Sequence, residues 1–179
     1  MDNTNKGTMW SQAAVKGLIL ALITVACNTV SYLFPGNTFV SLLTWIVRTV
    51  GSIWLLVYFM KQFFAATAQK PFTFGVMIVL FSSFICAFYN AAAMAWLFPD
   101  IMEQAQEAMS QSLSMFPSEM QSVAAQAADM VTSPRFTFFS TFVGDFIFGL
   151  IVAAIANSSI KGKSDIFAGE GKDSDDELA

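Results

Sequence analysis

The sequence predicts an all-α membrane protein, a bundle of four transmembrane helices with a helical hairpin inserted between spans three and four. Three observations predict it. Of 179 residues, 55% are hydrophobic and only 12% are charged, where soluble domains carry about 25% charged residues; the mean hydropathy is +0.58. Four apolar runs, 13–34, 38–60, 72–98 and 136–156, reach the roughly 20 residues that a helix needs to cross the hydrocarbon core. The stretch 99–134 breaks this pattern: it is polar and rich in Gln and Ser, yet it carries helical periodicity.

Composition also narrows the function classes. The net charge of -4 argues against a nucleic-acid partner, which requires basic patches. The chain has no histidine, the commonest general base and metal ligand. Cys27 and Cys86 both lie in apolar runs and read as small buried hydrophobes rather than as a disulfide or a metal pair. No cofactor or metal site is expected.

Residues 1–12 read as a short cytoplasmic N-terminal segment. The membrane domain then covers 13–163, and an acidic cytoplasmic tail, 164–179, has the composition of a disordered segment. Lys16 stands near the start of the first span, where its ammonium can snorkel to the headgroups. That run is too long for a signal-peptide core and lacks a small-x-small cleavage site, so it reads as a retained span. Pro35-Gly36-Asn37 is a tight turn signal, and Asn37 can cap the helix that follows. So short a turn makes the first two spans an antiparallel pair. A linker, Lys61 to Lys70, leads to Pro71, suited to the first turn of a helix. In the third span Ala87, Ala91 and Ala95 recur every four residues, and Gly149 and Ala153 repeat the device in the fourth; small residues so spaced let helices approach closely.

Within 99–134, Asp100-x-x-Glu103 and Ser118-x-x-Gln121 have the capping-box pattern. Ile101, Ala105, Ala108, Met109 and Phe116 form one apolar stripe; Met120, Val123, Ala124, Ala127 and Met130 form another, with Phe116-Pro117 as the break. These are two short amphipathic helices, either lying on the bilayer or folded on each other. Ser133-Pro134 opens the last span.

Four spans place both termini and the second connection on one side. That side carries Lys6, Lys16, Lys61, Lys70, Lys161, Lys163 and Lys172, against Arg135 on the other. Positive residues stay cytoplasmic, so both termini are expected inside and the acidic hairpin outside.

Two charges lie within the spans. Arg48 falls ten residues after Thr38, and Asp145 nine after Phe136. At about 1.5 Å per residue both sit roughly 14–15 Å below the outer boundary, on helices that run parallel. Each alone costs about 2.5–3.5 kcal/mol, so the two are expected to meet inside the bundle. As a pair they read first as a clip that sets helix register, and second as an ion, proton or ligand site. Asn28, Ser82, Ser83 and Asn90 are further polar groups within spans, of a kind that bonds across helices.

A family resemblance runs through the same residues. Trp10, Ala14 and Gly17 open the first span, Phe72-x-x-Gly75 opens the third and Tyr89 follows in it. Phe98-Pro99 leads into the Glu/Gln/Met-rich insert, and Phe148-Gly149-Leu150-Ile151 with a later lysine ends the last span. In order and spacing this resembles the four-span membrane proteins of Bacteroidota grouped as domain of unknown function 4199 (DUF4199), over about Trp10 to Lys163. The resemblance implies a multi-pass protein of a bacterial inner membrane, with no catalytic residues to carry over.

Two functions remain open at this level. One is a non-enzymatic scaffold or partner-binding membrane protein, the partner being another membrane protein or a second copy. The other is a small oligomeric transporter or channel component built on Arg48 and Asp145. An enzyme is not expected, since neither a nucleophile elbow nor metal-ligand spacing is present. A polar, accessible pore would favour transport; a dry, closed bundle would favour the scaffold.

Overall fold

The four expected spans are helices in the computed structural model, which describes residues 3–34, 36–67, 70–113 and 118–169, with backbone alone for 3–8, 102, 105, 113, 118–121, 124 and 161–169. The elements are α1 (Asn3–Leu33), α2 (Thr38–Thr67), α3 (Pro71–Ala92), a π turn (Ala93–Leu97), α4 (Pro99–Leu113), α5 (Ser118–Val131) and α6 (Pro134–Gly169). All are helical, and four stretches are long and apolar enough to cross a membrane: Met9–Leu33, Thr38–Thr67, Pro71–Leu97 and Pro134–Ile160.

Several boundaries differ from those expected. The helices outrun their apolar runs because hydrogen bonding continues after hydropathy falls. Thus α1 begins at Asn3 rather than 13, and α2 runs through most of the expected linker to Thr67. Residues 164–169, expected at the start of a disordered tail, continue α6, while 170–179 lie outside the described residues. The third helix is not unbroken over 72–98: it passes into the π turn, where the Phe98 amide donates to the Ala93 carbonyl at 2.8 Å. Pro99, which has no amide proton, then starts α4.

The turns follow their local chemistry. Gly36 has φ of +83°, a left-handed conformation that glycine adopts without a Cβ penalty. Asn37 Oδ1 accepts from the Phe39 and Val40 amides at 3.1 and 3.2 Å, capping α2 as expected. Ser133 Oγ accepts from the Phe136 amide at 3.2 Å and caps α6 in the same way. Asp100 is not an N-cap, because α4 begins one residue earlier at Pro99; it lies in the first turn, where its carboxylate interacts favourably with the positive end of the helix dipole. The Ser118-x-x-Gln121 box, Phe116-Pro117 and the tip of the hairpin lie outside the described side chains.

Helix α3 is the centre of the bundle. Of its most apolar window 44% is buried, against 6% for α2. It packs most extensively on α6 and α1; α1 also packs on α2, and the α2–α6 side is the sparsest edge of the ring. Lipid offers no hydrophobic drive between helices, so close packing must hold them. Gly149 shows the closest approach: a Cβ there would lie 2.3 Å from Val79 Cγ1 on α3. Ala153 and Ala87 are fully buried. Ala91 and Ala95 are only partly buried, and Ala95 lies in the π turn, where the four-residue register that aligned it no longer holds.

The densest packing occupies one half of the bundle, the end bearing Lys16, Lys61 and Lys70. Leu20, Leu56, Met60, Phe63, Phe74, Ile78, Ala153, Ala156 and Ile160 form a continuous apolar cluster there. Phe63 and Phe74 stack with centroids 3.9 Å apart. At its surface Lys16 Nζ donates to Gln62 Oε1 at 3.5 Å and lies 4.7 Å over the Phe59 ring. At the opposite end α4 packs on α5 and on the π turn, and α5 touches α6. Of the apolar stripe of α5, Val123 and Met130 stay exposed.

Candidate functional site: a polar layer across four helices

Each span contributes a polar side chain to one level of the bundle. Arg48 on α2 donates through Nη2 to Asp145 Oδ1 on α6 at 3.0 Å. Through Nη1 it donates to Asn28 Oδ1 on α1 at 3.2 Å. Asn28 Nδ2 then donates to Asn90 Oδ1 on α3 at 3.0 Å, and the Tyr32 hydroxyl donates to the same oxygen at 3.3 Å. Only an amide oxygen can face a guanidinium, so Arg48 orients Asn28, and Asn28 in turn orients Asn90. The result is one hydrogen-bonded chain joining α6, α2, α1 and α3.

The expected meeting of Arg48 and Asp145 is therefore present, with Asn28 and Asn90 bonded across helices. Ser82 and Ser83 are placed differently. They lie on the wall of a cavity of about 320 Å³ between α2 and α6, together with Thr24, Thr49, Ser52, Arg48 and Asp145. Trp45, Leu56, Val79 and Phe148 supply apolar lining. The two ends of the layer differ in access. Asn28 and Asn90 are buried at 8% and 7% exposure, whereas the Arg48 and Asp145 side chains keep 35% and 28%. The ion pair thus stands in the mouth of the cavity, across the least packed helix pair.

Tyr32 and Thr29 were not singled out in the sequence, and Tyr89 stood there only as a mark of the resemblance. Tyr32 joins the chain of bonds, and the Tyr89 and Thr29 hydroxyls bond each other beside it. Asn28 and Tyr32 are four apart, and Tyr89 adjoins Asn90; the first spacing places both groups on one helix face, a signal that was available. A further tie, Ser31 Oγ to Thr44 Oγ1 at 2.8 Å, joins α1 and α2 nearer the turn. Among the described residues no cluster of three His, Cys, Asp or Glu could hold a metal. Cys27 and Cys86 are free thiols, the latter buried.

Four apolar spanning helices tied by a polar layer at mid-span define a multi-pass integral membrane protein of the small helical-bundle class. The sequence model described as "Protein of unknown function (DUF4199)" matches residues 16–158, most of the chain. The chain belongs to this family, as its order of motifs implied. No curated protein and no solved structure matches it.

Proposed function

We propose that this protein is a non-enzymatic, non-conducting membrane protein that binds a partner within the bilayer, on the α2–α6 side of its bundle. One observation carries this reading: the interior is divided along its length. The lysine-bearing half is filled by the apolar cluster of Met60, Phe63, Phe74 and Ile78, and the polar layer lies wholly in the other half. Ions need continuous polar or hydrated lining, and a packed apolar segment of this kind opposes them. The cavity instead meets the sparsest helix pair, α2 and α6, where the Arg48 and Asp145 side chains are partly exposed.

Proton, sodium, potassium and chloride fluxes in protein-loaded liposomes are expected to equal those of empty vesicles. A flux that scales with protein and disappears in Asp145→Asn would overturn the reading. It would support the alternative, an oligomeric transporter, which the polar wall of the cavity favours.

The lysine distribution supports an orientation with both termini cytoplasmic in a bacterial inner membrane and the α4–α5 hairpin outside. In a background lacking Cys27 and Cys86, Thr38→Cys in intact cells is expected to react with a membrane-impermeant maleimide. Lys70→Cys is expected to react only after permeabilisation, and the reverse pattern would invert the topology.

A further inference from the structure

We infer that the α2–α6 cavity binds an uncharged single-chain amphiphile with a hydroxylated head, the head seated between Arg48 and Asp145 and the chain leaving sideways into the bilayer. The inference rests on the proposed intrabilayer partner and names its chemical class.

Charge comes first. Arg48 and Asp145 neutralise each other; of the other charges within the spans, Lys16 and Lys61 belong to the far end of the bundle and Arg135 stands at the start of α6, ten residues before Asp145. An ionic head would leave one uncompensated charge near mid-membrane, which is costly. A neutral head leaves the pair balanced.

Hydrogen-bonding capacity comes second. The pair is joined through a single oxygen, Asp145 Oδ1; among the described residues Oδ2 accepts no hydrogen bond. The guanidinium uses Nη2 on Asp145 and Nη1 on Asn28, and it has further N–H donors to offer. The open end of the pair therefore presents a donor beside an acceptor. A hydroxyl is both acceptor and donor in one group, so it can accept from Arg48 while donating to Asp145 Oδ2. A carbonyl or ether can satisfy only the arginine. Ser52 and Ser83 on the cavity wall extend the polar surface.

Access and shape come third. The cavity lies where the ring of helices is least packed, and both charged side chains are partly exposed there. Leu56 and Phe148 line it with apolar surface suited to an alkyl chain. The apolar cluster below closes the lysine end, so the occupant enters from the lipid.

Trp45 lines the cavity and supplies the readout. In protein reconstituted in nanodiscs with Trp10, Trp54 and Trp96 changed to Phe, Trp45 fluorescence is titrated with three probes carrying a dibrominated stearoyl chain: the monoacylglycerol, the free acid and the methyl ester. The monoacylglycerol is expected to quench saturably, with the acid and the ester about tenfold weaker. Ser52→Phe, which fills the cavity and spares the ion pair, is expected to abolish saturable quenching. Asp145→Asn is expected to shift preference to the free acid, because it leaves Arg48 uncompensated; a purely structural clip would produce no such switch. Equal quenching by all three probes, or unchanged quenching in Ser52→Phe, would overturn the site. Neither result bears on ion flux, so a failed site and a failed non-conducting reading are separable.

Discussion

Arg48→Ala is expected to destabilise the reconstituted protein by on the order of 3 kcal/mol, and Asp145→Ala by a similar amount, while the double substitution costs clearly less than their sum. Each single change strands the opposite charge at mid-span, where insertion scales put the cost at about 2.5–3.5 kcal/mol. Removing both strands neither. Arg48→Ala also removes a donor to Asn28 Oδ1, so it is expected to be the more costly single change, Asp145→Ala sparing that bond. The check is a double-mutant cycle read by thermal or denaturant unfolding in nanodiscs. Additive, mild effects would mean that the two charges do not share an environment, and the polar layer as described would fail with them.

The second large effect concerns glycine. Gly149→Ala is expected to destabilise by about 1–3 kcal/mol through overpacking, whereas Gly144→Ala, earlier on the same helix and on another face, is expected to be neutral or mildly stabilising. At Gly149 an added Cβ would sit 2.3 and 2.7 Å from the two γ-carbons of Val79 and 3.1 Å from its Cβ. Valine is stiff about χ1, and rotation cannot relieve the Cβ contact, so α3 and α6 must part at the most extensive interface of the bundle. At Gly144 an added Cβ meets nothing within 4 Å, and alanine has the better helix propensity. Val79→Ala removes both γ-carbons and should restore much of the stability in the Gly149→Ala background. Unfolding of the three variants beside the unchanged protein checks this; equal effects at Gly149 and Gly144 would contradict the close approach of α3 and α6.

What could be read in advance follows from the physics of each feature. The spans were legible because the bilayer imposes a length and a polarity on each of them. Arg48 and Asp145 were legible as a pair because depth is a linear count along parallel helices. Asn37 and its cap were legible because the turn chemistry is local. The extent of the helices was not: nothing in hydropathy carries α2 on to Thr67 or α6 on to Gly169, since water tolerates a continuing helix as well as a loop. The π turn left no mark either, because one added residue in a run of alanines does not disturb the apolar pattern. The division of the interior was the least legible. It depends on which faces of four helices converge, and a single sequence carries each face separately.

The π turn has a consequence for how the hairpin is aimed. A π turn spends an extra residue without completing extra rotation, so everything beyond Ala93–Leu97 is indexed differently about the α3 axis from what an unbroken α-helix would give. Each helical residue turns the chain by about 100°. Deleting one residue of this segment would remove the residue that adds no rotation and close it to an unbroken α-helix, so α4 and α5 would keep their aim and α5 its contact with α6, whereas the same deletion in the regular turns of α3 would swing them by about that angle. The π turn, which packs against α4, is thus the part of the third span where the loss of one residue leaves the bearing of the hairpin in place.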